Sequence, residues 1–253
     1  MTALAAAAIF LAGALDSREL FQRVKPSVVQ IQVLSPTGEL RSLGSGFAAT
    51  SDGLLITNHH VVEGATRMEA LFADGRKMKV SAVVFDDPDH DIAVVRVDEP
   101  TTPLQLGRAM SAVVGDEVML VGSPFGLDFT ITVGSVARYR PDGLTPEMLA
   151  LAGDVKPVDR QPMLQLNASS GQGNSGGPVL DGTGAVLGIV RAGIGAHGNF
   201  TFAVPSESIQ SALAQAQRVA ADTSVDGRLL NVGISALVFG VLAVLYVRMR
   251  RTS

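Results

Sequence analysis

Between residues 28 and 205 the chain alternates short apolar runs with polar breaks. Val28–Val33, Leu54–Thr57, Val80–Phe85, Ile92–Val97, Glu117–Val121, Ile131–Ala137 and Ala185–Val190 are each rich in Val, Ile and Leu. Turn-forming groups bound them: Pro36-Thr-Gly38, Ser51-Asp-Gly53, Ala73-Asp-Gly75, Asp87-Pro88, Pro141-Asp-Gly143 and Asp181-Gly-Thr-Gly184. Runs this short and rich in branched aliphatic residues predict strands, and their close succession predicts an all-β sandwich or pair of barrels. Two stretches read as helical. One is a turn or two near Thr145–Leu151. The other is an Ala-rich amphipathic run over Pro205–Ala221, with Ser206 or Ser208 as its cap.

The two ends depart from this pattern. Ala3–Leu15 is a run of 13 apolar or small residues. As a helix it reaches about 20 Å, short of a bilayer core of roughly 30 Å. It reads as the apolar region of an export signal, with Ala12-Gly13-Ala14 as a small-residue cleavage site, although no Lys or Arg precedes it. Leu229–Val247 is different: 19 residues without a charge, followed by Arg248, Arg250 and Arg251. That length suits a membrane span, Tyr246 suits an interface, and the arginines predict that the tail stays in the cytoplasm. The expected organisation is therefore a leader or apolar segment over 1–15, a body over 16–221, a linker over 222–228, a single transmembrane helix over 229–247 and a basic tail over 248–253. The body would lie on the periplasmic side of the inner membrane.

Composition narrows the classes. The 253 residues include no cysteine, which excludes a disulfide framework, a thiolate metal site and a cysteine nucleophile. A net charge of −4 argues against nucleic-acid binding through a broad basic surface. The 27 Gly and 12 Pro argue against a long helical bundle, and the 47% apolar content argues against disorder.

The strongest chemical signal is Gly171-Gln-Gly173-Asn174-Ser175-Gly176-Gly177-Pro178. A serine hydroxyl is a poor nucleophile until a base stands beside it. The carbonyl it attacks needs N–H groups aimed at the developing oxyanion. Glycines around Ser175 let the chain turn sharply enough for the N–H groups of Gly173 and Ser175 to converge. Gly173-Asn-Ser175-Gly-Gly177 also fits the nucleophile turn of α/β hydrolases. That fold, however, requires Ser, then acid, then His, and only His197 follows Ser175, 22 residues on. Upstream lie His60, at the end of an apolar run, and Asp91, at the start of another. The order His60, Asp91, Ser175 is that of the chymotrypsin-type barrels.

Several further segments make the chain resemble the HtrA/Deg family of trypsin-like serine proteases. They are Leu20-Phe-Gln-Arg-Val-Lys-Pro-Ser-Val-Val-Gln-Ile31, Gly44-Ser-Gly-Phe47, Thr57-Asn-His-His-Val-Val-Glu-Gly64, Asp87-Pro-Asp-His-Asp-Ile-Ala-Val-Val95, Val121-Gly-Ser-Pro-Phe-Gly126 and Gly173-Asn-Ser-Gly-Gly-Pro178, continued by Phe202-Ala-Val-Pro205. The resemblance covers about 20–215. It implies two perpendicular six-stranded β-barrels with the active site between them, and peptide-bond hydrolysis through an acyl-enzyme, with no metal and no cofactor. It assigns His60 as base, Asp91 as acid, Ser175 as nucleophile, and Gly173 with Ser175 as oxyanion donors. His59 falls in the variable place, and His90 and His197 read as loop residues. Implied partners are protein or peptide substrates and, from a family habit, a homo-trimer.

The resemblance also places substrate-binding positions. The residue six before the nucleophile, Ser169, falls at the base of the first specificity pocket. A neutral base there favours an apolar residue at the cut site. Arg191 and Gly193 fall on the strand that edges the cleft. Arg191 departs from the family, which usually has a small hydroxyl residue there. A guanidinium in that place can pair with Asp91, fixing the carboxylate as an anion while diverting it from the imidazole. The alternatives are that Arg191 faces away or that the alignment slips by one. Only 48 residues follow Pro205, too few for a helix, a span and a PDZ module together, so no PDZ module is expected. Tyr139–Gln161 is long for a connection and is expected to form an activation or substrate loop. Two functional readings follow. The first is an envelope endopeptidase, tethered by its C-terminal helix and acting in protein quality control or regulated proteolysis. The second is a weak or idle barrel that serves as a membrane-anchored scaffold.

Overall fold

A computed structural model describes residues 16–123, 129–145, 161–194 and 200–221. The expected leader, linker, span and tail, together with His197 and most of the 139–161 connection, lie outside the described residues. Among those described, no helix is long and apolar enough to cross a membrane.

Six strands close the first barrel in the order β1-β2-β3-β6-β5-β4. They are β1 (Val28–Leu34), β2 (Leu40–Ala48), β3 (Leu54–Thr57), β4 (Arg67–Phe72), β5 (Lys77–Asp87) and β6 (Ile92–Val97). Six more close the second barrel in the order β10-β11-β12-β9-β8-β7. They are β7 (Glu117–Gly122), β8 (Thr130–Arg140), β9 (Met163–Asn167), β10 (Pro178–Leu180), β11 (Val186–Ile194) and β12 (Phe200–Pro205). Every pairing within the barrels is antiparallel. This is the chymotrypsin-like architecture that the family resemblance implies. Closure leaves each barrel without the open edge that an antiparallel sheet would otherwise present.

The unbroken apolar runs have a physical reason. Alternate residues of a strand face opposite sides. In β6, Ala93, Val95 and Val97 fill the first barrel, while Ile92 and Val94 face the other way, into a seam between the barrels. In β3, Leu55 points inward and Leu54 and Ile56 point to the seam. In β7, Val118 and Leu120 fill the second barrel, and Met119 and Val121 face the seam. Strands buried on both faces lose the polar alternation of a half-solvated sheet.

Two helices complete the seam. Helix α1 (Ser17–Val24), whose N-terminal Asp16 side chain accepts the Arg18 N–H, buries Leu20 and Val24 there. Although α1 precedes the first barrel, Arg23 donates to the carbonyl of Thr183 in the second. A helix over 206–221 contributes Ile209, Ala212 and Ala216, spaced three and four apart on one face. The hydroxyl of its first residue, Ser206, donates to Glu207 Oε2 at 3.4 Å. The hydroxyl accepts the N–H of Ala109 at 3.0 Å, and Glu207 accepts that of Met110 at 3.1 Å. The helix start thereby caps the inter-barrel connection.

Candidate active site

The short helix α2 (His59–Val62) directly follows β3 and carries His60 at the edge of the first barrel. Asp91 sits immediately before β6, the strand paired with β3, so the two residues are neighbours by register. His60 Nδ1 lies 2.9 Å from Asp91 Oδ2 and 3.0 Å from Oδ1, and the His60 backbone N–H donates to Oδ1 at 3.0 Å. A carboxylate only accepts, so Nδ1 carries the ring proton and Nε2 presents its lone pair. The Asp91 side chain is 6% exposed and that of His60 42%. The acid is thus shielded from water while the imidazole is partly exposed to it. Asp91 adopts φ 56°, the one positive value among the described non-glycine residues. Strained backbone of this kind persists where the surroundings over-determine it. Here Asn58 helps: its Nδ2 donates to the Asp91 carbonyl at 2.8 Å from a fully buried position.

Neighbouring titratable groups are occupied elsewhere. His59 Nδ1 lies 2.7 Å from Asp86 Oδ1, and His90 Nδ1 lies 2.8 Å from Asp87 Oδ2. No three His, Asp or Glu side chains among the described residues converge as a metal site.

Ser175 comes from the second barrel, on the turn before β10. Gly173 has φ 98°, which permits the reversal ahead of the serine. Asn174 N–H donates to the Gly171 carbonyl at 3.1 Å, and Gly177 N–H to that of Asn174 at 2.9 Å. These bonds leave the N–H groups of Gly173 and Ser175 without a partner among the described residues. At Gly176, φ is 84° and a β-carbon would stand 2.2 Å from the Ser45 carbonyl oxygen, so only glycine fits. The Ser175 hydroxyl donates to the carbonyl of Arg191 on β11 at 3.3 Å. The expected link from that hydroxyl to His60 Nε2 is not among the hydrogen bonds of the described residues.

The first barrel grips this turn. Ser45 on β2 donates its N–H to the Ser175 carbonyl and its hydroxyl to the Gly173 carbonyl, both at 2.7 Å. The same hydroxyl accepts the Ser123 N–H at 3.0 Å. Gln30 on β1 donates to Ser123 Oγ at 2.7 Å. These polar bridges join β1 and β2 to the second barrel beside the serine.

Of the remaining expected positions, Ser169 is exposed. Its neighbour Ser170 hydrogen-bonds Thr201 Oγ1 at 2.9 Å, and Thr201 donates to the Ala168 carbonyl at 2.8 Å. Gly193 pairs with Thr201 across β11 and β12. Arg191 turns toward the acid: its Nε lies 3.2 Å from Asp91 Oδ2, with side-chain exposures of 9% and 6%. Burial holds the Arg191 guanidinium below its ordinary value, and the Asp91 charge pulls it back up. Of the alternatives weighed for Arg191, pairing with Asp91 is the one realised.

Sequence reasoning gave no role to Ser45 or Asn58. Both stood inside quoted motifs, Gly44-Ser-Gly-Phe47 and Thr57-Asn-His-His. A small polar residue between two glycines, or just before the histidine pair, was the one available signal.

Residues 44–189 match the family described as Trypsin-like peptidase domain. The chain belongs to the trypsin-like peptidases of HtrA type. Among its HtrA-type relatives, Protease Do-like 1, chloroplastic, of Arabidopsis thaliana is 33% identical over 205 residues, covering 75% of this chain and 45% of that protein. A probable periplasmic serine endoprotease DegP-like of Halomonas elongata is 36% identical over 200 residues, covering 78% and 39%. The HtrA-type protease AlgW with tripeptide superposes with a TM-score of 0.66 at 29% identity, covering 79% of this chain and 62% of that one. A serine-to-alanine variant of it with tripeptide gives 0.68 at 26% identity, covering 79% and 63%. This HtrA-type chain spans less than half the length of those two curated relatives.

Proposed function

We propose that the protein is a serine endopeptidase in which Ser175 is the nucleophile, His60 the general base and acid, and Asp91 the group that orients the imidazole. Ser175 Oγ adds to the substrate carbonyl carbon as its proton passes to His60 Nε2. The N–H groups of Gly173 and Ser175 hold the resulting oxyanion. Collapse expels the amine, which takes the proton from His60, and leaves an acyl ester on Ser175. Water then adds to the ester with His60 again accepting a proton, and the acid product leaves with Ser175 restored. In this cycle the Ser175 hydroxyl turns from the Arg191 carbonyl toward His60 about its own side-chain torsion. Bonds of this kind are often loose before substrate binds.

The observation that supports the reading is the His60–Asp91 pair, with Nδ1 bound to a buried carboxylate and the imidazole side chain 42% exposed. A neutral Ser169 supports a preference for an apolar residue before the cut. The apolar run 229–247 and the arginines after it support a membrane-tethered envelope protease. The periplasmic description of the Halomonas relative supports the same placement. Trimerisation and a part in quality control or regulated proteolysis belong to the same proposal.

The Arg191–Asp91 contact favours a second reading, a weak or idle scaffold. Cleavage of casein by the full chain in detergent, compared with Ser175→Ala, separates the two. The endopeptidase reading expects turnover to fall by up to about 10⁶ on losing the nucleophile. Equal rates for the two proteins would favour the scaffold.

A further inference from the structure

Asp91 Oδ2 is a shared atom. It lies 2.9 Å from the imidazole nitrogen of His60 on one side and 3.2 Å from the guanidinium nitrogen of Arg191 on the other. The two donors come from different barrels, α2 beside the first and β11 in the second. Both Arg191 and Asp91 have side chains more than nine-tenths buried, so water screens the pair poorly. A guanidinium stays charged throughout the working pH range.

We propose that Arg191 is a positioning residue that divides the Asp91 carboxylate between itself and His60, and so restrains the peptidase. The proposal rests on the endopeptidase reading for its effect on turnover, but not for its effect on His60. When Ser175 gives up its proton, His60 becomes an imidazolium. In the usual arrangement the carboxylate faces that new charge alone. Here it already neutralises a fixed cation, and that cation stands just across the same oxygen. Arg191 therefore opposes the charge that the transition state creates, and equally opposes protonation of the resting imidazole. The first effect lowers turnover. The second is read as a difference in His60 protonation between the wild type and variants with a neutral residue at 191.

The surrounding charges do not substitute for Arg191. On α2, His59 is bound to Asp86 of β5, and Glu63 follows that helix at an exposed position. In the turn before β6, His90 is bound to Asp87 of β5. On β11, Arg191 is the charged residue of Val186–Ile194. The cation on the carboxylate is therefore the one at 191. A side chain at this place that is small and hydroxylated would leave Oδ2 to the imidazole. Because the guanidinium also shields a buried anion, its removal is tested with two neutral replacements of different size.

The test is a pH titration of His60 by nitrogen-15 NMR on the full chain in detergent, assigned through His60→Gln, alongside the pH profile of casein cleavage. In Arg191→Met and Arg191→Ser the His60 protonation midpoint moves up by about one pH unit, the scale expected for losing a charge within 4–6 Å. Arg191→Lys, which returns the charge, brings the midpoint back down. In the same two neutral variants kcat rises about tenfold with little change in KM, and the acidic limb of kcat/KM moves to higher pH. A midpoint that stays in place in both neutral variants, with the fold intact by circular dichroism, overturns the proposal whether or not casein is cut. A midpoint that moves in a chain showing no cleavage dependent on Ser175 upholds the sharing of Asp91 and overturns the endopeptidase reading instead.

Discussion

Ser45 holds Ser175 by its backbone: the N–H of the first donates to the carbonyl of the second at 2.7 Å, across the two barrels. The Ser45 hydroxyl adds a bond to the Gly173 carbonyl and takes one from the Ser123 N–H. The turn that presents the candidate nucleophile is therefore positioned by the opposite barrel as much as by its own. Replacing this buried hydroxyl removes both its bond to the Gly173 carbonyl and its bond from the Ser123 N–H, and losing a buried hydrogen-bond partner costs about 1–3 kcal/mol. Ser45→Ala is expected to lower Tm by several degrees and kcat about tenfold, read by thermal denaturation and casein cleavage.

Gly176 tests the same closeness sterically. A β-carbon there would overlap the Ser45 carbonyl oxygen and the Thr57 hydroxyl, at 2.2 and 2.4 Å, on a backbone with φ 84°. Left-handed backbone alone costs an L-residue about 1–2 kcal/mol, and overpacking adds about 1–3. Gly176→Ala is expected to cut soluble yield and stability sharply, measured by urea denaturation, and to abolish cleavage in whatever folds.

Adjacent histidines should behave oppositely. His59 pairs with Asp86, whose side chain is 41% exposed. Such a pair contributes about 0–1 kcal/mol. His59→Ala is expected to keep kcat/KM within twofold of wild type. His60→Ala is expected to lose at least about 10⁴. A loss of that size in the His59 variant would move the base by one residue.

Leu20 anchors α1 from a position 3% exposed in the inter-barrel seam. Large-to-small changes at such sites cost about 2–5 kcal/mol. Leu20→Ala is expected to shift the urea midpoint down by that amount. Arg23→Ala, which only loses a surface bond to the Thr183 carbonyl, is expected to cost a small fraction of it.

How much of this was legible beforehand depended on what each strand is made of. Leu54–Thr57 and Ile92–Val97 are strands with the expected limits, because aliphatic runs bounded by turns admit little else. Leu40–Ala48 was not read as a strand: Leu-Arg-Ser-Leu-Gly-Ser-Gly-Phe-Ala has neither an aliphatic run nor clean alternation. Its glycine at 46 is there because a β-carbon would meet the Ile56 carbonyl oxygen at 2.7 Å. Pro178–Leu180 is too short to register, and Arg67–Phe72 carries two charges. The pairing of His60 with Asp91 was readable from chain order and motif. Ser45 and Asn58 were harder to read, because their side chains bond main-chain N–H and carbonyl groups, which the pattern of residue types barely marks.

The apolar seam is drawn from both barrels and from helices at both ends of the body: Leu20, Phe47, Ile92, Met119, Ile189 and Ile209 all meet there. A half molecule would expose that whole face to water. Neither barrel is therefore a separable module, despite each being closed on itself. Heating should produce one calorimetric endotherm rather than two, and genetic excision of either half should yield an insoluble fragment. The two proposed partners in proton transfer are thus bound into a single cooperative unit, which comes together, or fails, as a whole.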